Sequence, residues 1–124
     1  MSLTRRSFTL VLLLGVYLAL DHRAESHALV IESSPAIDSR IRGSDVECVL
    51  RFNSRVDHDR SRLTLIGPDG VNRRLVLSRT SALDTLQANA DGLAPGSYKL
   101  RWQVLATDGH ITRGDIPFHV APPQ

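Results

Sequence analysis

The chain has 124 residues, with 15 Lys and Arg against 13 Asp and Glu, and a single cysteine. That length holds one domain. One cysteine excludes both an internal disulfide and a cysteine-rich metal site. A net charge of +2 leaves no broad basic excess of the kind that nucleic acid binding draws on.

Met1 to Arg6 carries two arginines and no acid, and Phe8 to Leu20 is an almost unbroken apolar run of 13 residues. A bilayer span needs roughly 20 residues, so the run suits the core of a signal peptide. An uncleaved anchor helix is the alternative, and both the shortness of the run and Asp21 close behind it argue against that. Ala24-Glu25-Ser26 places small residues at the two positions a signal peptidase reads. Cleavage after Ser26 is therefore expected, making residues 1–26 a signal peptide and residues 27–124 an exported, periplasmic or otherwise extracytoplasmic domain. Thr4-Arg5-Arg6-Ser7-Phe8 resembles the twin-arginine export signature, although paired arginines also occur in ordinary export signals. Removing the segment takes three basic and two acidic residues, leaving 12 against 11. No stable membrane insertion of the remaining domain is expected.

From His27 onward the apolar pattern has period two. Ala28 to Ile31 reads as a short opening strand, and Val46 to Phe52 as a strand with Val46, Cys48, Leu50 and Phe52 inward. Leu63 and Leu65, then Leu75 and Leu77, supply two more, joined through the turn sequence Gly67-Pro68-Asp69-Gly70. Leu83 to Ala88 is a weaker candidate. Tyr98 to Val104 alternates most cleanly, and Ile116, Phe118 and Val120 form the last set. About seven short strands at this spacing predict an all-β antiparallel sandwich or barrel. Leu93-Ala94-Pro95-Gly96-Ser97-Tyr98 resembles the tyrosine corner of Greek-key sandwiches, in which the phenol bonds back to upstream backbone. Ala121-Pro122-Pro123-Gln124 reads as a tail.

Few side chains in the domain can carry chemistry. Cys48 lies on an inward face and reads as a small buried hydrophobe. His119 alternates outward between Phe118 and Val120. His58, between Asp57 and Asp59, reads as part of a polar connection, although Asp-His-Asp is also able to touch a cation.

His27 and His110 differ from these. Cleavage after Ser26 would give His27 two ligands, the freed α-amine and the ring nitrogen, able to close a chelate ring on a metal. The α-amine titrates near ~7.7–8.0, so a metal displaces its proton at ordinary pH. Asp108 and His110, in Thr107-Asp108-Gly109-His110, stand two apart and are able to point to one side of a turn at Gly109. Three nitrogens and one oxygen suit tetragonal Cu(II), and tetrahedral zinc accepts the same atoms. Asp-Gly is also a routine turn signal, so these residues alone do not separate a site from a turn.

Taken together, the residues resemble the periplasmic copper-binding CopC family. The resemblance opens with His27-Ala28 and Ser33-Ser34-Pro35-Ala36, and continues through Val49-Leu50-Arg51-Phe52-Asn53-Ser54. It closes with Leu93 to Trp102, Thr107-Asp108-Gly109-His110 and Gly114 to Val120, where the order and spacing are most specific. It implies a seven-stranded Greek-key β-barrel or sandwich of immunoglobulin-like form. It also implies one Cu(II) per chain on His27, Asp108 and His110, for copper buffering, resistance or delivery to a CopD-type inner-membrane importer. Two departures stand out. The region from about Ile66 to Ser81 lacks the methionines with which some members bind Cu(I). Ser54-Arg55 stands where some members carry a glutamate near the metal, so an outer contact must come from elsewhere.

Two other readings compete with a non-enzymatic copper protein. An N-terminal histidine chelate with a second histidine also resembles the copper brace of polysaccharide monooxygenases. The only Trp and both remaining Phe fall on inward faces, however, leaving no aromatic platform for a glycan. A metal-free immunoglobulin-like interaction module would follow if His27 were not the true N-terminus.

Overall fold

The computed structural model describes residues 27–124, and the expected signal segment, residues 1–26, lies outside them. Eight strands occur among the described residues: β1 Val30–Ser34, β2 Ser39–Ile41, β3 Val46–Phe52, β4 Val56–Ile66, β5 Asn72–Arg74, β6 Thr85–Ala90, β7 Gly96–Ala106 and β8 Ile111–Val120. They form a three-stranded sheet, ordered β1-β3-β6, and a five-stranded sheet, ordered β2-β8-β7-β4-β5. The described residues contain no helix long and apolar enough to cross a membrane.

Alternation puts one face of each sheet into a shared core. Cys48, Leu50 and Phe52 of β3 meet Leu63, Leu100, Trp102, Val104, Phe118 and Val120 of the other sheet, all buried. The expected strand from Val46 to Phe52 coincides with β3. Others shift: the opening strand begins at Val30 instead of Ala28, and the weak candidate at Leu83 becomes β6 from Thr85. Leu75 and Leu77 fall after the short β5, with Leu77 making an isolated bridge to Ala88. The added strand is β2, which runs parallel to β8 at Ser39–Phe118 and Ile41–Val120.

Two local features tie the large sheet together. The Tyr98 hydroxyl donates to the Ala94 carbonyl at 2.7 Å, as the corner sequence predicts, and its ring stacks on Phe118 at 5.5 Å. Gly114 lies across from Trp102 in the β7–β8 register, where a Cβ would sit 2.5 Å from Trp102 Cζ2. Glycine there lets the indole lie flat against β8 backbone and reach Phe52 of the opposite sheet edge-on, at 5.4 Å.

Candidate metal centre

The strongest strand, β7, ends at Ala106, and the chain reverses through residues 107–110 into β8. Gly109 takes φ +85°, a conformation glycine adopts without strain. The turn closes through the Gly109 N–H to the Ala106 carbonyl at 3.0 Å and the Ala106 N–H to the His110 carbonyl at 2.9 Å. Asp108 then clasps its neighbour twice. One carboxylate oxygen accepts the His110 backbone N–H at 3.0 Å, and the other lies 3.1 Å from His110 Nδ1. These two contacts, followed by the positive character of His110 and His27, hold the Asp108 carboxyl below the usual carboxylate range.

His27 reaches this turn from the side of the other sheet, three residues before the edge strand β1 begins at Val30. Its ring stands 5.9 Å from the His110 ring, centroid to centroid, at an interplanar angle of 54°. Asn53, at the exit of β3, fixes that approach. Its side-chain oxygen accepts the Leu29 N–H at 2.9 Å and its amide donates to the His27 carbonyl at 3.2 Å. The Asn53 backbone N–H also donates to the Leu29 carbonyl at 2.9 Å. Sequence reasoning quoted Asn53 within the Phe-polar pattern but assigned it nothing, because the register that faces it with residues 27–29 is a tertiary property.

Thus the three residues expected at a metal come to one end of the sandwich, as two pairs: His27 with His110, and His110 with Asp108. Among the described residues no three His, Cys, Asp or Glu side chains already enclose a point fit for an ion. The donor types nevertheless fit a borderline divalent metal: two imidazoles, a carboxylate, and the α-amine that cleavage before His27 would create. The Asp108 oxygen nearest the ring already serves His110 Nδ1, so it orients that imidazole in the way carboxylates commonly orient metal-binding histidines.

The other candidates lie elsewhere. Cys48 is fully buried, and burial pushes its thiol up to about 11, so it stays a neutral thiol. His58 sits within β4, not in a connection, and its Nε2 lies 2.7 Å from the Thr85 carbonyl and 3.3 Å from Ser81 Oγ. That part-buried bonding makes it a tie between β4 and β6. His119 faces outward beside Ser97 Oγ at 3.1 Å.

Two packed sheets, antiparallel except where β2 joins β8, with a tyrosine corner place the molecule among the immunoglobulin-like β-sandwiches. Within that class, residues 30–121 match the CopC domain, and the chain belongs to the CopC family. It is 29% identical over 98 residues to Protein YobA of Escherichia coli strain K12, covering 77% of this chain and 79% of that one. The crystal structure of CopC from Methylosinus trichosporium OB3b superposes with a TM-score of 0.70 at 28% identity, over 79% of this chain and 97% of that one. PcoC, a methionine-rich copper resistance protein from Escherichia coli, shares the fold at a TM-score of 0.61 and 20% identity, over 77% of this chain and 99% of that one. The matched range contains Asp108 and His110 and begins three residues after His27.

Proposed function

We propose that this is an exported, non-enzymatic copper-binding protein that holds one Cu(II) ion per chain. The observation that carries the reading is the 5.9 Å approach of His27 to His110, which lead into strands of different sheets and meet at one end of the molecule. Removal of residues 1–26 would expose the His27 α-amine, adding a second nitrogen to the same residue. His27 then supplies amine and imidazole nitrogens, His110 an imidazole nitrogen and Asp108 a carboxylate oxygen. Family membership and the copper resistance role of the similar PcoC support the choice of copper. The single methionine, Met1, lies in the expected signal segment, so the domain has no thioether for Cu(I). In the periplasm such a protein buffers Cu(II) or passes it to a CopD-type membrane importer. Burial of Trp102, Phe52 and Phe118 supports a role without a glycan substrate.

The test is electron paramagnetic resonance of the chain beginning at His27, titrated with Cu(II). One tetragonal signal, saturating at one equivalent and lost in His27→Ala and in His110→Ala, is expected. Heterogeneous signals insensitive to both substitutions would reject the site.

Asn53 gives a second expectation. Asn53→Ala removes the two side-chain bonds that aim residues 27–29. Cu(II) affinity should fall by about 10–100-fold, the usual cost of losing a group that positions a ligand. Competition titration measures it, and circular dichroism should report an unchanged sheet.

Protons compete with the metal for the amine and imidazole nitrogens, so Cu(II) affinity is expected to fall steadily from about pH 8 to pH 5. Asp108 takes no part in that fall, because His110 keeps it ionised throughout. Its depressed carboxyl adds stability above the ordinary value of ~3.9, and that contribution is lost only as pH falls lower, through its folded value. Competition titrations across the range separate the two effects.

A further inference from the structure

The near balance of charge along the sequence is not kept in space. Cross-strand register places Arg74, Thr64, Arg101 and Asp115 in one row on the outer face of the five-stranded sheet. The next row toward the metal turn is Arg62, Gln103 and Arg113, and the row on the other side contains Lys99. Within these rows Asp115 is the one acid, with Asp38 bonded to Pro117 at the end of the Lys99 row and Asp59 lining a neighbouring groove beside Arg62 and Arg74. Asp57 lies farther along β4, where its carboxylate accepts the Arg60 N–H.

Arg101 and Asp115 form a two-pronged pair, Nε to Oδ1 at 2.8 Å and Nη2 to Oδ2 at 3.0 Å. Arg62 and Arg113 have no such partner among the described residues. Both guanidiniums instead donate to the same neutral atom, Gln103 Oε1, each at 2.8 Å. Two cations converging on one amide oxygen lack the charge that guanidinium forks match best, a planar carboxylate. The groove these residues line with Thr64, Asn72 and Arg74 measures ≈ 590 Å³.

We propose that this face is a docking surface for an acidic segment of a protein partner, with Arg62 and Arg113 as its carboxylate anchors. The Arg101–Asp115 pair shows the bond each anchor would make to an incoming Asp or Glu. Nucleic acid fits less well, because the aromatic ring that lines this groove, Trp102, is buried edge-on against Phe52 and offers no open face on which a base stacks. A lipid surface fits less well too, since the rows carry no projecting aromatic or Leu to insert and enclose a polar groove. Arg113 lies in β8, three residues beyond His110 of the preceding turn, so a segment held here sits near the turn at Gly109.

The experiment is ¹⁵N NMR titration, with a hexaglutamate peptide, of the protein obtained by expressing the full chain. Saturable shifts centred on Arg62, Gln103 and Arg113, weakened by added salt, are expected. Arg62→Glu with Arg113→Glu should weaken binding about tenfold or more. Arg42→Glu with Arg55→Glu, the same charge change in loops off this face, should leave it nearly unchanged. Equal losses in both pairs would overturn the proposal in favour of bulk charge. So would identical shifts with sulfate at matched ionic strength, or binding to phosphatidylglycerol vesicles without binding to the peptide. Gln substitutions at Arg62 and Arg113 keep the test sound if the Glu pair fails to fold.

Discussion

A chain carrying one extra residue ahead of His27 is expected to bind Cu(II) far more weakly than the chain that begins there. The added residue turns the α-amine into a peptide amide, which binds a metal only after losing a proton that it holds tightly. One donor and the chelate ring vanish together, while the imidazole, the Asn53 bonds and the Asp108–His110 clasp remain. The loss should therefore exceed the roughly 10–100-fold that follows removal of an orienting group. Competition titration against a chelator of known affinity measures it, and His27→Ala should fall at least as far. Equal affinity in the extended and native-start chains would remove the amine from the coordination and leave a two-imidazole site.

The largest effect on stability is expected at Phe52. Its side chain is 1% exposed and meets the Trp102 ring edge-on at 5.4 Å. Truncation to Ala leaves a cavity between the sheets and costs about 3–5 kcal/mol, which in a domain of this size lowers the melting temperature by on the order of 20 °C. Because Asn53 follows directly, the loss also loosens the segment that carries His27. Saturating Cu(II) should restore part of the melting temperature, by about 4 kcal/mol at a thousandfold excess over the dissociation constant. Calorimetry with and without Cu(II) checks both statements. A Phe52→Ala protein that melts within a few degrees of the parent would show that the core repacks.

The core strands were legible in the sequence because alternation follows from burial of one face. Tyr98 to Val104 and Val46 to Phe52 bury every second residue, so residue order carries the information. Asp108-Gly109-His110 was legible for a local reason: an Asx turn and a positive-φ glycine need only neighbours. What stayed hidden depends on register between distant segments. Ser39–Ile41 has no pattern of its own and becomes a strand only beside Phe118 to Val120. His58 looked like part of a polar connection because Asp57 and Asp59 flank it, yet an irregularity in β4 turns its ring to the Thr85 carbonyl. Asn53 and the Arg62–Gln103–Arg113 group belong to the same case, since their partners lie 24 to 26 and 10 to 41 residues away.

Among the described residues, the strand that follows His27 has a neighbour on one side alone. β1 is the outer member of the three-stranded sheet, bonded to β3, while His110 stands at the head of a strand held in the middle of the larger one. Outer strands peel away in partial openings that leave the rest of a fold intact. Such an opening would part the two histidines without melting the core, so release of a metal held as proposed would follow the fraying of β1 and not the unfolding of the domain. A protein built this way would let go of a metal held there quickly while remaining hard to denature.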